Sequence, residues 1–343
     1  MNRYTELLAE GYRGSGEPVT ILRPTSRFSR QMSDVRLRKL VAYIEQLVLF
    51  PLRARWKARR ARLIHVADHS DALWLLMWGP AKNVVVTCHD LIAVRASIGE
   101  IPEHSTRWSG RIYQSLVRQG LRRARVIAAV SGATAADVRR LVRGVDVRVI
   151  YGPVDGALTK SHPARILGDD DFALVVSSSG WRKRREHAVA VWLRLREVWI
   201  GNPLRLVIGG PPLNDVEKKS LTGKAEIAVS VVSGINDSEP AGLYSRASVL
   251  IQVSRYEGFG WPIVEANAQG TLALCSDIEV FREVGGANLF VPDNLDEVAW
   301  AEVRDGLRGD VFEVARENAA RFSSESFSSA LAVLIDGIGE GRI

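Results

Sequence analysis

Residues 254–270 read SRYEGFGWPIVEANAQG. Glu257 and Glu265 stand eight positions apart there, separated by two glycines, a proline and large apolar residues. The preceding run, VLIQVS (249–254), is apolar and β-rich and reads as a strand, so YEGFG is its exit. Gly258 and Gly260 permit positive φ and close backbone approach to a ligand. Pro262 suits the first position of a helix, where its missing N–H costs nothing, and Gly270 stops the helix PIVEANAQG. A helix that opens behind a glycine turn is a ready anion site. In open α/β sheets such sites lie beyond the carboxyl ends of the strands. Glu265, in the first turns of that helix, suits two vicinal hydroxyls, as on a ribose; Glu257, before the turn, suits a sugar. The plainer reading makes Glu265 an acid that complements the helix dipole and Glu257 a solvated loop acid. Spacing alone does not choose between them.

Outward from this stretch, short apolar runs alternate with helical patterns. The candidate strands are VTIL (19–22), RLIHV (62–66), VVVTC (84–88), RVIAAV (125–130), VRVIY (147–151), FALVVS (172–177), LRLVIG (204–209), IAVSVV (227–232), VLIQVS (249–254), LALCS (272–276) and NLFVP (288–292). Near-continuous apolar strands alternating with helices predict parallel sheets covered on both faces. The series pauses at 153–170, PVDGALTKSHPARILGDD, which predicts the domain linker. Two Rossmann-like halves facing across a cleft follow: 1–155, 156–325, and a helix over 326–343 that packs back on the N-terminal half.

The chain has 343 residues, of which 46% are hydrophobic, enough to build two cores. No run reaches the ~18 apolar residues of a membrane span, and LVAYIEQLVLFPL (40–52) is interrupted by Glu45, Gln46 and Pro51. The start lacks the apolar core of a signal peptide. Cys88 and Cys275 are isolated, which fits a reducing compartment and gives no metal spacing. A cytoplasmic location is expected, at the inner face of the membrane for the following reason. The net charge of +7 divides unevenly: residues 1–160 hold 27 Lys and Arg against 13 Asp and Glu, whereas 161–343 hold 19 against 26. LRARWKARRARL (52–63) has six basic residues, one Trp and no acid. On a helix it would be basic almost all round and suited to anionic lipid. Nucleic acid is not expected, because no recognised module and no interleaved stacking aromatics accompany the charge.

At this point the motifs carry a resemblance. EGFGWPIVEANAQG (257–270) resembles the signature of retaining family 4 glycosyltransferases, the glycosyl transferases group 1 of the GT-B fold, with mannosyltransferase-like members. PAGLYSRASVLIQVSRYEGFG (240–260), CSDIEVFREVGGANLFVPD (275–293), VVVTCHDLI (84–92) and VSGATAADV (130–138) are similar to further segments of that family. The resemblance implies an enzyme that moves a hexose, with a mannose-like sugar favoured, from a nucleotide-diphosphate sugar to a hydroxyl of a glycan or lipid-linked glycan. Anomeric configuration is retained, with no cofactor and no metal. It implies donor binding by Arg182, Lys183, Gly258, Phe259, Gly260, Trp261 and Glu265, and catalytic roles for Glu257, His89 and Lys183. Ser178 and Ser179 stand where the family often has glycine. The family also opens with a strand and a Gly-rich turn before a helix like RYTELLAEG, so the first strand of the N-terminal domain is expected to be missing.

Other features read more plainly. The basic run Arg182–Arg185 has the alternative of a solvated turn. His65 and His69 are candidates for the acceptor side. The acids at 169–171 read as solvated linker rather than as a metal motif. Two rival functions remain: a GT-B sugar-nucleotide epimerase, which needs no acceptor, and a degenerate protein that binds nucleotide sugar without turnover.

Overall fold

The computed structural model describes residues 2–25, 28–31, 33–79, 83–154, 171–178, 180–219, 221, 228–233, 239–308 and 312–339. Two compact units divide the chain: Met1–Gly152 with Phe327–Ile343, and Pro153–Ser326. Most of the linker reading at 153–170, the acids at 169 and 170, and Ser179 lie outside the described residues.

In the first unit β1 (Ile64–Val66), β2 (Val84–Cys88), β3 (Val126–Ala129) and β4 (Asp146–Val149) form a parallel sheet in that order. β2 and β3 are buried along their whole length, which is why they read as unbroken apolar runs rather than alternating ones. The helix Gly132–Leu141 starts at Ser131, whose Oγ accepts from the Thr134 amide at 3.0 Å. A cap of this kind contributes about 1 kcal/mol. The helix Asn2–Gly14 buries Tyr4, Leu7, Leu8 and Tyr12. Both its tyrosines reach buried polar partners. Tyr12 Oη lies 2.6 Å from His65 Nδ1, His65 Nε2 lies 2.8 Å from Thr87 Oγ1, and Tyr4 Oη lies 3.3 Å from the same Thr87 oxygen. The helix Ser324–Gly339 returns to this unit. It comes so close to the first helix that a Cβ on Gly11 would sit 2.8 Å from Phe327 and Leu331. Ser15 Oγ donates to the Ser328 carbonyl at 2.9 Å.

Two expectations need correction here. VTIL (19–22) has no regular structure, and among the described residues no strand precedes Ile64. Pro18 and Pro24 bracket that run, and each removes a ladder donor. The run 52–63 is not one helix: it is α-helical to Lys57, continues as a 3-10 turn over Ala58–Arg60, and then leads into β1.

The second unit holds six parallel strands, β5 (Phe172–Val176), β6 (Arg205–Gly209), β7 (Val229–Val232), β8 (Val249–Gln252), β9 (Ala273–Ser276) and β10 (Leu289–Val291). Their order in the sheet is β10-β9-β8-β5-β6-β7. The chain therefore runs from β5 to one edge through β6 and β7, returns to the middle at β8, and runs to the other edge. The switch lies between β5 and β8, which are neighbours paired in parallel. Trp192, wholly buried behind this sheet, donates Nε1–H to the Leu204 carbonyl at 3.2 Å. The unit closes on itself at its two ends: the Val154 amide donates to the Phe322 carbonyl at 2.8 Å.

Candidate active site at the β5/β8 switch

Two parallel strands that are neighbours in the sheet release their loops side by side. β5 exits into Ser177, Ser178 and the 3-10 turn Trp181–Lys183; β8 exits into 253–260. The two loops are joined directly. The Arg255 amide donates to the Arg182 carbonyl at 2.8 Å, and Arg182 Nη1 donates to the Tyr256 carbonyl at 3.1 Å. The rings of Trp181 and Tyr256 lie 5.7 Å apart. A third loop joins from the other side, where Gly210 at the end of β6 passes so near Ser177 that a Cβ on it would be 2.2 Å from the Ser177 carbonyl oxygen.

Glu257 sits at the centre of this junction. Its side chain is only 9% exposed. Oε1 accepts from Lys183 Nζ at 2.5 Å and from Ser254 Oγ at 2.7 Å; Oε2 accepts from Arg182 Nη1 at 2.8 Å. The plain reading of Glu257 as a solvated loop acid does not hold, and neither does that of 182–185 as a solvated basic turn. Arg182 and Lys183 share Glu257, and each of the other two cations has an acid of its own. Arg184 pairs with Asp293. Arg185 is buried with Glu217 at 2.7 Å, and its Nη1 donates to the Pro211 carbonyl at 2.9 Å. Arg184 also bears positive φ, 49°, the one non-glycine to do so among the described residues. This left-handed residue ends the 3-10 turn and opens the helix Arg185–Val198. By reversing the backbone there, it sends residues 182 and 183 to one side of the turn and residue 185 to the other. Such strain persists only where surrounding contacts hold it.

The helix Trp261–Ala268 opens at Gly260, whose φ of 112° only glycine adopts readily, and Pro262 lies in its first turn. Phe259 is buried and packs edge-on against Trp261 and Phe322, with ring centres at 5.1 and 5.5 Å. Its side chain is thus a prop for the turn. Glu265 is buried within the helix, and Tyr244 donates to its Oε2 at 2.9 Å. Behind it, Asn267 Oδ1 accepts from Asn288 at 2.8 Å and from Asn318 at 2.7 Å, which fixes the helix from its far side. The structure therefore brings Arg182, Lys183 and Glu257 into one cluster and sets Gly258 to Glu265 as the turn and helix that follow.

His89 belongs to the first unit, at the exit of β2. Its Nε2 lies 2.9 Å from the Ala67 carbonyl and so carries the proton, and Tyr4 stands edge-on to the ring at 4.6 Å. Burial lowers its pKa, leaving a neutral imidazole whose Nδ1 is the basic nitrogen. Asp90 accepts from the Ile92 amide, the first of the short helix after it, at 3.0 Å. His65 is held in the polar chain described above, and burial pushes its pKa down to about 3. His69 Nδ1 lies 3.4 Å from Asp68. Among the described residues no three His, Cys, Asp or Glu side chains form a metal-ligating group. Tyr244, Ser254 and the strained Arg184 are the participants that sequence reading missed; LYSRAS offered the only signal for the first of them.

A profile of the family described as Glycosyltransferase Family 4 matches residues 1–157, and one described as Glycosyl transferases group 1 matches 159–305. The chain belongs to the GT-B glycosyltransferases. It is 26% identical over 271 residues to the O-antigen chain mannosyltransferase RfbU of Salmonella typhimurium, covering 77% of this chain and 70% of that protein. Among solved structures, WaaG, a glycosyltransferase involved in lipopolysaccharide biosynthesis, superposes with a TM-score of 0.67 at 14% identity, over 98% of this glycosyltransferase and 95% of WaaG. HepE of Anabaena, solved with UDP and glucose, gives 0.65 at 17% identity over 86% and 83% of the two chains. At these identities the structural matches speak for the GT-B fold.

Proposed function

We propose that this glycosyltransferase moves a hexose, mannose-like by preference, from a nucleotide-diphosphate sugar to a hydroxyl of a glycan or lipid-linked glycan, with retention and without a metal. The observation that carries the reading is the cluster of Arg182, Lys183 and Glu257 at the switch between β5 and β8, the place where open α/β sheets take their ligands. The mannosyltransferase relative supports the sugar, and the UDP in the HepE complex supports a nucleotide donor.

The residues then have complementary tasks. Lys183 and Arg182 hold the diphosphate and stabilise the charge that grows on it as it leaves. The helix opening at 258–261 adds its positive end to the same oxygens. Glu265, oriented by Tyr244, accepts from the ribose hydroxyls. Glu257 and the turn 258–261 hold the donor sugar; His89 keeps the catalytic role that the family resemblance implies, in the N-terminal unit, which serves the acceptor. The bond from the anomeric carbon to the phosphate oxygen breaks, the bond to the acceptor oxygen forms on the same face, and the acceptor's proton passes to the leaving phosphate oxygen. No dedicated base is required.

The basic run 52–63 serves as a lipid-facing surface at the inner face of the membrane. No helix of the described residues is long and apolar enough to cross a membrane.

The deciding experiment incubates the chain with a panel of nucleotide-diphosphate sugars and glycan acceptors and follows nucleoside diphosphate release. Release that requires acceptor supports transfer. Release without acceptor, together with an altered sugar, identifies an epimerase; binding without release identifies a degenerate binder.

A further inference from the structure

The helical run 35–57 of the first unit has a feature that charge does not account for. It is continuous: α-helix over Val35–Ile44, one π turn over Glu45–Leu49, and α-helix again over Phe50–Lys57. No residue of its first segment is buried. Leu40, Ile44, Val48, Leu52 and Trp56, every fourth residue, are between 42% and 61% exposed. Spacing by four drifts around a regular α-helix, and the wider π turn takes up that drift, so these five lie in one stripe. The opposite side anchors the run. Phe50 packs on Trp74 at 5.0 Å, and Trp78 Nε1 donates to the Pro51 carbonyl at 3.0 Å. Glu45, the one acid between 35 and 60, points inward and accepts from the Phe28 and Ser29 amides at 2.7 and 3.1 Å. The apolar face is fringed by cations: Arg36, Arg38 and Lys39 at one end and Arg59 at the other, with Arg53 and Lys57 flanking it beside Phe50 and Ala54, all six exposed. The helix Trp108–Leu121 carries a further exposed row, Trp108, Ile112 and Leu116.

A helix gains most of its stability from packing an apolar face, and contiguous exposed apolar surface marks an interaction site. The occupant must accept both greasy side chains and a dense positive fringe. A second copy of this chain would set the cations of one face against those of the other. The headgroup and acyl boundary of an anionic bilayer meets both demands, with aromatic and aliphatic side chains below the phosphates and Lys and Arg among them. We infer that residues 35–56 insert their apolar stripe, Leu40, Ile44, Val48, Leu52 and Trp56, into the interfacial layer of an anionic membrane. This rests on the reading of 52–63 as a lipid-facing surface and adds to it that the attachment is apolar as well as electrostatic.

The test uses the full chain and vesicles of phosphatidylglycerol or of phosphatidylcholine, at low salt and at about 1 M, where the Debye length is about 3 Å. One variant replaces Leu40, Ile44, Leu52 and Trp56 by Ser; another replaces Arg53, Arg59 and Arg60 by Gln. All seven sites are exposed, and far-UV circular dichroism checks the fold. Wild type is expected to co-sediment with the anionic vesicles and to stay partly bound at high salt. The apolar variant should bind at least about tenfold more weakly and release completely in salt. Brominated acyl chains should quench the wild type more than Trp56→Phe. Complete release of wild type by salt, with no difference in quenching, overturns insertion and leaves the electrostatic surface standing. No binding to either vesicle overturns both. A dimer in solution that the apolar variant abolishes, without vesicle binding, assigns the stripe to a second copy and overturns the inference as well.

Discussion

Lys183 Nζ lies 2.5 Å from Glu257 Oε1, although 74 residues separate the two in sequence. The partner that fixes the lysine is thus one of the two acids that bracket the glycine turn. If these cations also take the diphosphate, Glu257 and the donor compete for the same charge. Lys183→Ala should then lower turnover about 100-fold or more. It should also cost about 1.5–3 kcal/mol of stability, because a largely buried carboxylate loses a charged donor. Urea unfolding and nucleotide release measure the two separately. Undiminished turnover in Lys183→Ala would remove the lysine from the site.

Glu265 and Glu257 should differ in what their loss does. Glu265→Ala is expected to weaken nucleoside diphosphate binding by about 1.5–3 kcal/mol, whereas Glu257→Gln mainly slows turnover. Tyr244→Phe, which removes only the hydroxyl that orients Glu265, should fall between wild type and Glu265→Ala. Calorimetric titration with the nucleotide reads all three, and equal affinity in Glu265→Ala and wild type contradicts the ribose assignment.

Turnover should survive a chelator. The leaving diphosphate would be met by Lys183, Arg182 and the helix opening at 261. Loss of activity in EDTA, restored by magnesium or manganese, counts against that division of charge.

Gly210 and Gly144 make a contrasting pair. A Cβ at 210 would meet the Ser177 carbonyl oxygen at 2.2 Å, while one at 144 meets nothing within 4 Å. Gly144→Ala should cost only the strain of its positive φ, about 1–2 kcal/mol. Gly210→Ala forces two backbones apart, adds about 1–3 kcal/mol of overpacking, and moves the loop that carries Lys183. It should therefore impair turnover as well as the melting temperature. Gly144→Ala should leave turnover intact.

His65 gives the first unit a signature in pH. Folded, its pKa is held down to about 3 by burial; unfolded, it is about 6.5. Between these values the unfolded chain binds a proton that the folded chain refuses. Its contribution is therefore complete above about 6.5 and is lost as pH falls toward 3. The gap in urea midpoint between wild type and His65→Gln should shift along that window in favour of the variant. A gap independent of pH would mean that His65 titrates alike in both states.

Much of this was legible in the residues. The apolar runs pointed to every described strand of both sheets: in β2, β3, β8 and β9 burial on two faces leaves no alternation to misread, and β4 and β7, only partly buried at the sheet edges, still carry enough Val to read as strands. VTIL failed because four β-formers carry no information about the prolines on either side. The turn at 257–262 was readable because Gly260 and Pro262 each impose one backbone geometry. What remained hidden were pairings set by the sheet order. Nothing local reveals that 182 and 183 meet 257, or that 185 turns away to Glu217. Those follow from β5 and β8 being neighbours, which only the assembled sheet decides. The exposed stripe was hidden for a related reason: a period of four looks irregular until the π turn is known.

The hydrogen bond from Val154 to Phe322 closes the second unit at its two ends, while the first unit is made of residues on both sides of it. On the ribosome the order of events follows. Residues 153–326 are made as one uninterrupted stretch that holds all the unit's described strands and both ends of its closing bond, before residues 327–339 are added. The first unit has its sheet long before that but not the helix that packs on Gly11. A released chain ending at residue 326 should therefore hold a protease-resistant second unit beside a first unit whose N-terminal helix is open to cleavage.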